Sequence, residues 1–79
     1  MDRDIDADRI DEAVLALLWL GRHDGGRRTW KGFDWDAMGR LHREGMISDP
    51  VGKARSVVFT EEGRRRAERL FRELFARRT

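Results

Sequence analysis

Phosphate recognition is the chemistry this chain is best supplied for. Of its 17 basic side chains, all but Lys31 and Lys53 are arginine, and a guanidinium fork matches two phosphate oxygens at once. The cations fall in three groups. Lys53 and Arg55 follow a Pro50-Val51-Gly52 turn and are the best placed for phosphate contact, and Arg27, Arg28 and Lys31 add to them if their loop folds alongside. Arg40 and Arg43 lie on one face of a short helix pattern, where they are candidates for reading base edges. The competing reading is a solvated surface coloured by GC-rich codon usage, since arginine-rich surfaces often bind nothing.

Other chemistries are poorly supplied. His23 beside Asp24, and His42 with Asp34 or Asp36, lack the paired-ligand spacing of a zinc site. The hydroxyl nucleophiles on offer are Ser48, Ser56 and three threonines, with no arrangement that points to a triad. Gly25-Gly26 leads into arginines and lacks the strand-to-helix setting of a phosphate-cradling loop. The expectation is therefore no enzyme, no metal and no cofactor. Cysteine is absent, which removes disulfides and thiolate sites and suits a reducing, cytoplasmic setting.

At 79 residues, with 41% charged and 39% apolar side chains, the chain has the size and composition of one small folded domain. The net charge of +2 is unevenly spread. Residues 1–40 hold seven basic and nine acidic side chains, and residues 41–79 hold ten and six. The longest apolar run, Ala13 to Leu20, is far short of a membrane span, and the acidic residues ahead of it oppose a signal peptide.

The elements that must position these residues follow from local signals. Residues 1–6 read as a disordered acidic leader and residues 7–79 as the domain. A first helix is expected from about Ala7 to Arg22, capped by Asp6 or Asp8. Ile10, Val14, Leu17 and Leu18 make its main stripe, and Leu15 and Trp19 a second one that needs its own cover. Residues 23–28 read as a loop, and Thr29-Trp30-Lys31 as a short strand or turn. Asp34 caps a second helix, Trp35 to Glu44, with Phe33 and Met38 spaced for a hydrophobic staple and Gly45 as the stop. That helix turns Ala37, Met38 and Leu41 inward and Asp36, Gly39, Arg40 and Arg43 outward, with Asp36 spaced to pair with Arg40. Met46-Ile47-Ser48 and the run from Arg55 to Phe59 then flank the proline turn as a hairpin. Thr60 caps a last helix reaching about Arg77, whose stripe is Ala67, Leu70, Phe71, Leu74 and Phe75.

Trp30, Phe33 and Trp35 fall within six residues, and the expectation is that they close the core over the glycine-rich loop, the alternative being an exposed patch that binds protein. Leu15, Trp19, Leu74 and Phe75 are the candidate interface of a homodimer built on the terminal helices.

Two strings carry a resemblance. Leu41 through Ile47, and Phe59-Thr60-Glu61-Glu62-Gly63, resemble the recognition-helix end and the wing-to-last-helix junction of MarR-like and PadR-like winged-helix repressors. Lys31-Gly32-Phe33-Asp34-Trp35-Asp36 and the stretch on to Gly63 also resemble a family of small uncharacterised bacterial proteins. The implied fold is α+β, a winged helix-turn-helix in which terminal helices pack on a short β-hairpin wing. It is a reduced one, because about eleven residues between the first helix and Asp34 scarcely hold another helix. The implied function is a small, dimeric DNA-binding, transcription-regulating module, with double-stranded DNA as its partner; the rival, favoured by the acidic residues on the outer face of the second helix, is a dimerising, protein-interaction module on the same frame without DNA binding.

Overall fold

The computed structural model describes residues 3–77. The elements run α1 (Ala7–Leu20), β1 (Arg22–His23), β2 (Arg28–Trp30), α2 (Trp35–Arg43), β3 (Ser56–Val58) and α3 (Glu61–Phe75), an α+β order. The strands form one antiparallel sheet, β1-β2-β3, with Thr29 opposite Arg22 on one side and Val57 on the other. Residues 1 and 2 of the expected leader, and residues 78 and 79, lie outside the described residues. No helix among the described residues is long and apolar enough to cross a membrane.

Each helix starts on an oxygen cap. The Asp6 carboxylate accepts from the backbone N–H groups of Asp8 and Arg9, Asp34 from that of Ala37, and the Thr60 hydroxyl from that of Gly63. Gly45 follows α2 at φ 78°, the left-handed stop that glycine permits. α1 ends two residues sooner than expected, because Gly21 leads directly into β1.

The segment read as a loop is a β-hairpin. His23 pairs with Arg28 around Asp24-Gly25-Gly26-Arg27, and three successive positive φ angles at Asp24, Gly25 and Gly26 reverse the chain. Conversely, the first arm of the expected proline-turn hairpin is reduced to one bridge, Ile47 with Phe59, reinforced where the Ser48 N–H donates to the Val58 carbonyl. β3 instead gives its other edge to β2. Thr29 ties sheet to helix: its buried hydroxyl donates to the Leu18 carbonyl, 2.5 Å away, at the end of α1.

The core lies between α1 and the other two helices, closed by the sheet. It holds Val14, Leu15 and Leu18 of α1, Ala37, Met38 and Leu41 of α2, Met46, Ile47, Val57 and Phe59, and Ala67 and Leu70 of α3. α1 packs mainly on α3 and secondarily on α2. Both of its apolar sides are thus covered within one chain, which is why Leu15 is buried. α1 and α3 run parallel: Glu12 lies near Arg66 and Trp19 near Phe71 and Ala76.

The junction into α3 explains its residue types. The Thr60 N–H and hydroxyl both donate to the Met46 carbonyl, and the hydroxyl also reaches the Gly45 carbonyl. A Cβ at Gly63 would lie 1.8 Å from the Met46 oxygen, so only glycine lets the first turn of α3 close on that peptide.

Candidate interaction surfaces

Three of the seven candidate phosphate-binding cations are engaged within the chain. Arg40 Nε and Nη2 donate to the two oxygens of buried Asp11 at 2.7 and 2.8 Å, and not to Asp36 as the helical spacing led one to expect. The Asp11 hydrogen bonds raise the Arg40 pKa above its ordinary value; burial, the next effect, opposes the rise, and the charges of Asp11, Asp34 and Asp36 add to it. Arg28 donates to the hydroxyl and carbonyl of Ser56, clipping β2 to β3. Lys31 Nζ donates to the carbonyls of Pro50 and Gly52, and its N–H to the carbonyl of Arg55.

Arg27, Arg43, Lys53 and Arg55 are exposed. Lys53 and Arg55 share the turn that Lys31 holds, whereas Arg27 lies at the opposite end of β2, where its carbonyl accepts from Phe59. Arg43 lies on α2, with its guanidinium over Gly39. The structure therefore groups Lys31, Lys53 and Arg55 and removes Arg40 from the set.

The two histidines are also placed by backbone groups. His42 Nδ1 lies 3.0 Å from the Ile47 carbonyl and His23 Nδ1 3.4 Å from the Gly21 carbonyl, and the His23 ring also stacks on Trp30 at 4.4 Å between centroids. A cleft of about 510 Å³ between α1, α2 and α3 is floored by Leu15, Leu41 and Met46 and rimmed by Asp8, Asp11, Glu12, Glu44 and Arg66. One carboxylate oxygen from each of Asp8, Asp11 and Glu44 falls within 4.8 Å of the others. Asp8 and Asp11 are neighbours on one face of α1, and helix packing brings Glu44 to them.

The aromatic cluster does not close the core. Trp30 is 54% exposed, Phe33 36% and Trp35 59%. The physical reason is register: Thr29 takes the inward position on β2, so Trp30 must face out. On α2 the inward face is Ala37, Met38 and Leu41, which leaves Trp35 outside. Trp30 rests against Gly21, where a Cβ would meet its Cδ1 at 3.7 Å. With Leu17, Leu20, Thr29, Gly32 and Phe33 it lines a predominantly apolar groove of about 340 Å³. Leu20, at 67% exposure, lines it and also borders a neighbouring depression with Trp19 and Phe71.

The terminal-helix residues divide differently from expectation. Leu15 is unavailable to a second subunit because α2 and α3 enclose it. Trp19 is half-buried, with its ring 6.4 Å from that of Phe59 and the Arg22 guanidinium 3.6 Å over it. Leu74, expected in the core as well as at an interface, is 53% exposed: the α3 face that α1 covers is centred on Ala67 and Leu70. Phe75 is half-exposed and meets Phe71 edge-on at 5.3 Å.

Residues 6–77 match the model of a family described as a domain of unknown function, DUF6429. The chain is also 60% identical over 74 residues to "Uncharacterized protein y4hR" of Sinorhizobium fredii (strain NBRC 101917 / NGR234), an alignment covering 94% of this chain and 99% of that protein. No solved structure matches.

Proposed function

The chain belongs to the DUF6429 family, and we propose that it is a protein-interaction module acting through the Leu20–Trp30–Phe33 groove. The observation that carries the reading is the exposure of Leu20, Trp30, Phe33 and Trp35 in a chain of this size. Large aromatic side chains are the preferred anchors of protein interfaces. Leaving three of them in water lacks a reason within the chain, whose core is closed without them. Catalytic chemistry is not part of the proposal, and a cytoplasmic setting is. The test is affinity capture from the native host with wild-type and Leu20→Glu baits. Proteins retained by the first and lost by the second support the reading; identical captures overturn it.

DNA binding on a reduced winged-helix frame is a second reading, favoured by one observation. Lys31 holds the Pro50–Gly52 turn by two hydrogen bonds from its ammonium and Arg55 by one from its N–H, so Lys53 and Arg55 are offered from a held loop. In that frame the β1–β2 hairpin stands where the first helix of the helix-turn-helix pair would be. Opposing it, Arg40 is committed to Asp11, and Asp34 and Asp36 charge the end of α2 that would meet phosphates. Titration of mixed-sequence duplex DNA across a salt series tests it. About four phosphate contacts give a log–log slope near −3 to −4, and absence of binding at low salt and micromolar protein ends it.

A further inference from the structure

We propose that the open face of the sheet binds single-stranded DNA, with Trp30 and His23 as the stacking platform and cations at the end of β2 and β3 as phosphate contacts. The proposal goes beyond the protein-interaction reading and shares only Trp30 with its groove.

The face follows from the ladder. Residues paired across an antiparallel sheet lie on the same side, so Thr29 and Val57 face the core while His23, Arg28, Trp30, Ser56 and Val58 share the other face. None of those five is buried. Its diagonal pair, His23 and Trp30, is stacked, with ring planes 24° apart and centroids at 4.4 Å. Two flat rings lying one on the other make a platform that the base of an unpaired nucleotide extends.

Charge selects a polyanion. Arg28 stands on the face two residues before Trp30, and its Nε and Nη2 hold Ser56. Arg55 immediately precedes Ser56, the ladder partner of Trp30, and its carbonyl accepts from the Lys31 N–H. Lys53 follows Gly52, whose carbonyl accepts from the Lys31 ammonium. The loop of residues 49–55 that brings Lys53 and Arg55 there carries one acid, Asp49, whose Oδ1 accepts from the Val51 N–H. Asp34 and Asp36 lie at the start of α2, after the groove residue Phe33.

The same face argues against the other partners. A duplex keeps the ring faces of its bases in its own stack, and the helix that would enter its groove has Arg40 bound to Asp11. A protein needs a broader apolar contact than one indole and Val58 provide. A single strand needs a ring and nearby cations.

Fluorescence anisotropy of labelled oligo(dT), and of a mixed-sequence duplex of equal length, tests the proposal. The proteins are wild type, Trp30→Ala, Trp30→Phe, Leu20→Glu and a double variant, Lys53→Ala with Arg55→Ala. Circular dichroism and the thermal midpoint establish that each variant is folded. Oligo(dT) should bind wild type at low salt and micromolar protein, several-fold more tightly than the duplex. Trp30→Ala should weaken that binding about tenfold or more, and Trp30→Phe far less, because a ring remains. The double variant should flatten the log–log salt slope by about 1 to 1.5. Leu20→Glu should bind oligo(dT) like wild type, so its loss of protein capture and the loss of oligo(dT) by Trp30→Ala report on separate readings. Absence of oligo(dT) binding at low salt overturns the proposal, as does binding that folded Trp30→Ala retains in full. A preference for the duplex also overturns it and returns the nucleic-acid reading to double strands.

Discussion

Arg40 and Asp11, 29 residues apart in sequence, join α2 to α1 through two parallel hydrogen bonds of 2.7 and 2.8 Å. Both carboxylate oxygens are answered by one guanidinium, so removing the cation leaves a buried charge uncompensated. Arg40→Met should therefore lower the urea midpoint clearly, whereas Arg43→Met, at an exposed position on the same helix, should leave it nearly unchanged. A raised guanidinium pKa contributes stability that is present below the unfolded value and lost only as pH rises through the folded one. That window lies above the range of folding experiments. The difference between wild type and Arg40→Met should consequently be the same at pH 7 and pH 10; a difference that vanishes at pH 10 contradicts the assignment.

Glycine substitutions should act in opposite directions at two sites. Gly63→Ala drives a methyl group into the Met46 peptide and should cost about 3 kcal/mol or more. Gly39→Ala, inside α2, meets only the mobile end of Arg43 at 3.4 Å and should add about 0.5–1 kcal/mol through helix propensity. Chemical denaturation of both variants measures the contrast, and a harmless Gly63→Ala would mean the α3 junction is packed otherwise.

The register of the two long helices is tested by paired truncations. Leu18→Ala, in the closed core, should cost about 2–5 kcal/mol, and Leu74→Ala well under about 1 kcal/mol. Equal costs would return Leu74 to the interior.

Thr29→Val keeps the shape of a buried side chain and removes its bond to the Leu18 carbonyl. The stranded acceptor should cost about 1–3 kcal/mol. Hydrogen exchange should quicken at the end of α1 and in β2 before it does in α2.

For the DNA reading, replacing Lys53 and Arg55 with alanine should flatten the salt slope by roughly 2, while Arg40→Met in a folded protein should not change it. Equal flattening by both would put Arg40 back among the contacts.

The three helices, their starts and the stop of α2 were legible because their signals are local, whereas α1 and α3 each end two residues before the expected position. Asp34 and Thr60 sit at the expected caps, Asp6 takes the cap that was open between it and Asp8, and Gly45 ends α2 in the left-handed region. The inward face of Ala37, Met38 and Leu41 also followed from spacing. The β1–β2 hairpin did not, because strands of two and three residues are too short to show alternation, and His23 and Arg28 pair through a turn hidden by its glycines. The Asp11–Arg40 bond is long-range, so helical spacing pointed instead to the nearer Asp36. Exposure of Trp30 and Trp35 depended on which neighbour took the inward place, something hydrophobicity alone does not encode.

The parallel packing of α1 on α3 has a consequence for how the chain folds. The residues that meet there, such as Glu12 with Arg66, are roughly fifty positions apart, so the main contact closes almost the longest loop available. As the polypeptide is synthesised, α1 must wait with Leu18 and Trp19 uncovered until Glu61–Phe75 has emerged. Assembly is then a late, all-or-none event, in which the Thr60–Met46 bonds aim the arriving helix. Chains released before that point would present bare apolar helix to their neighbours.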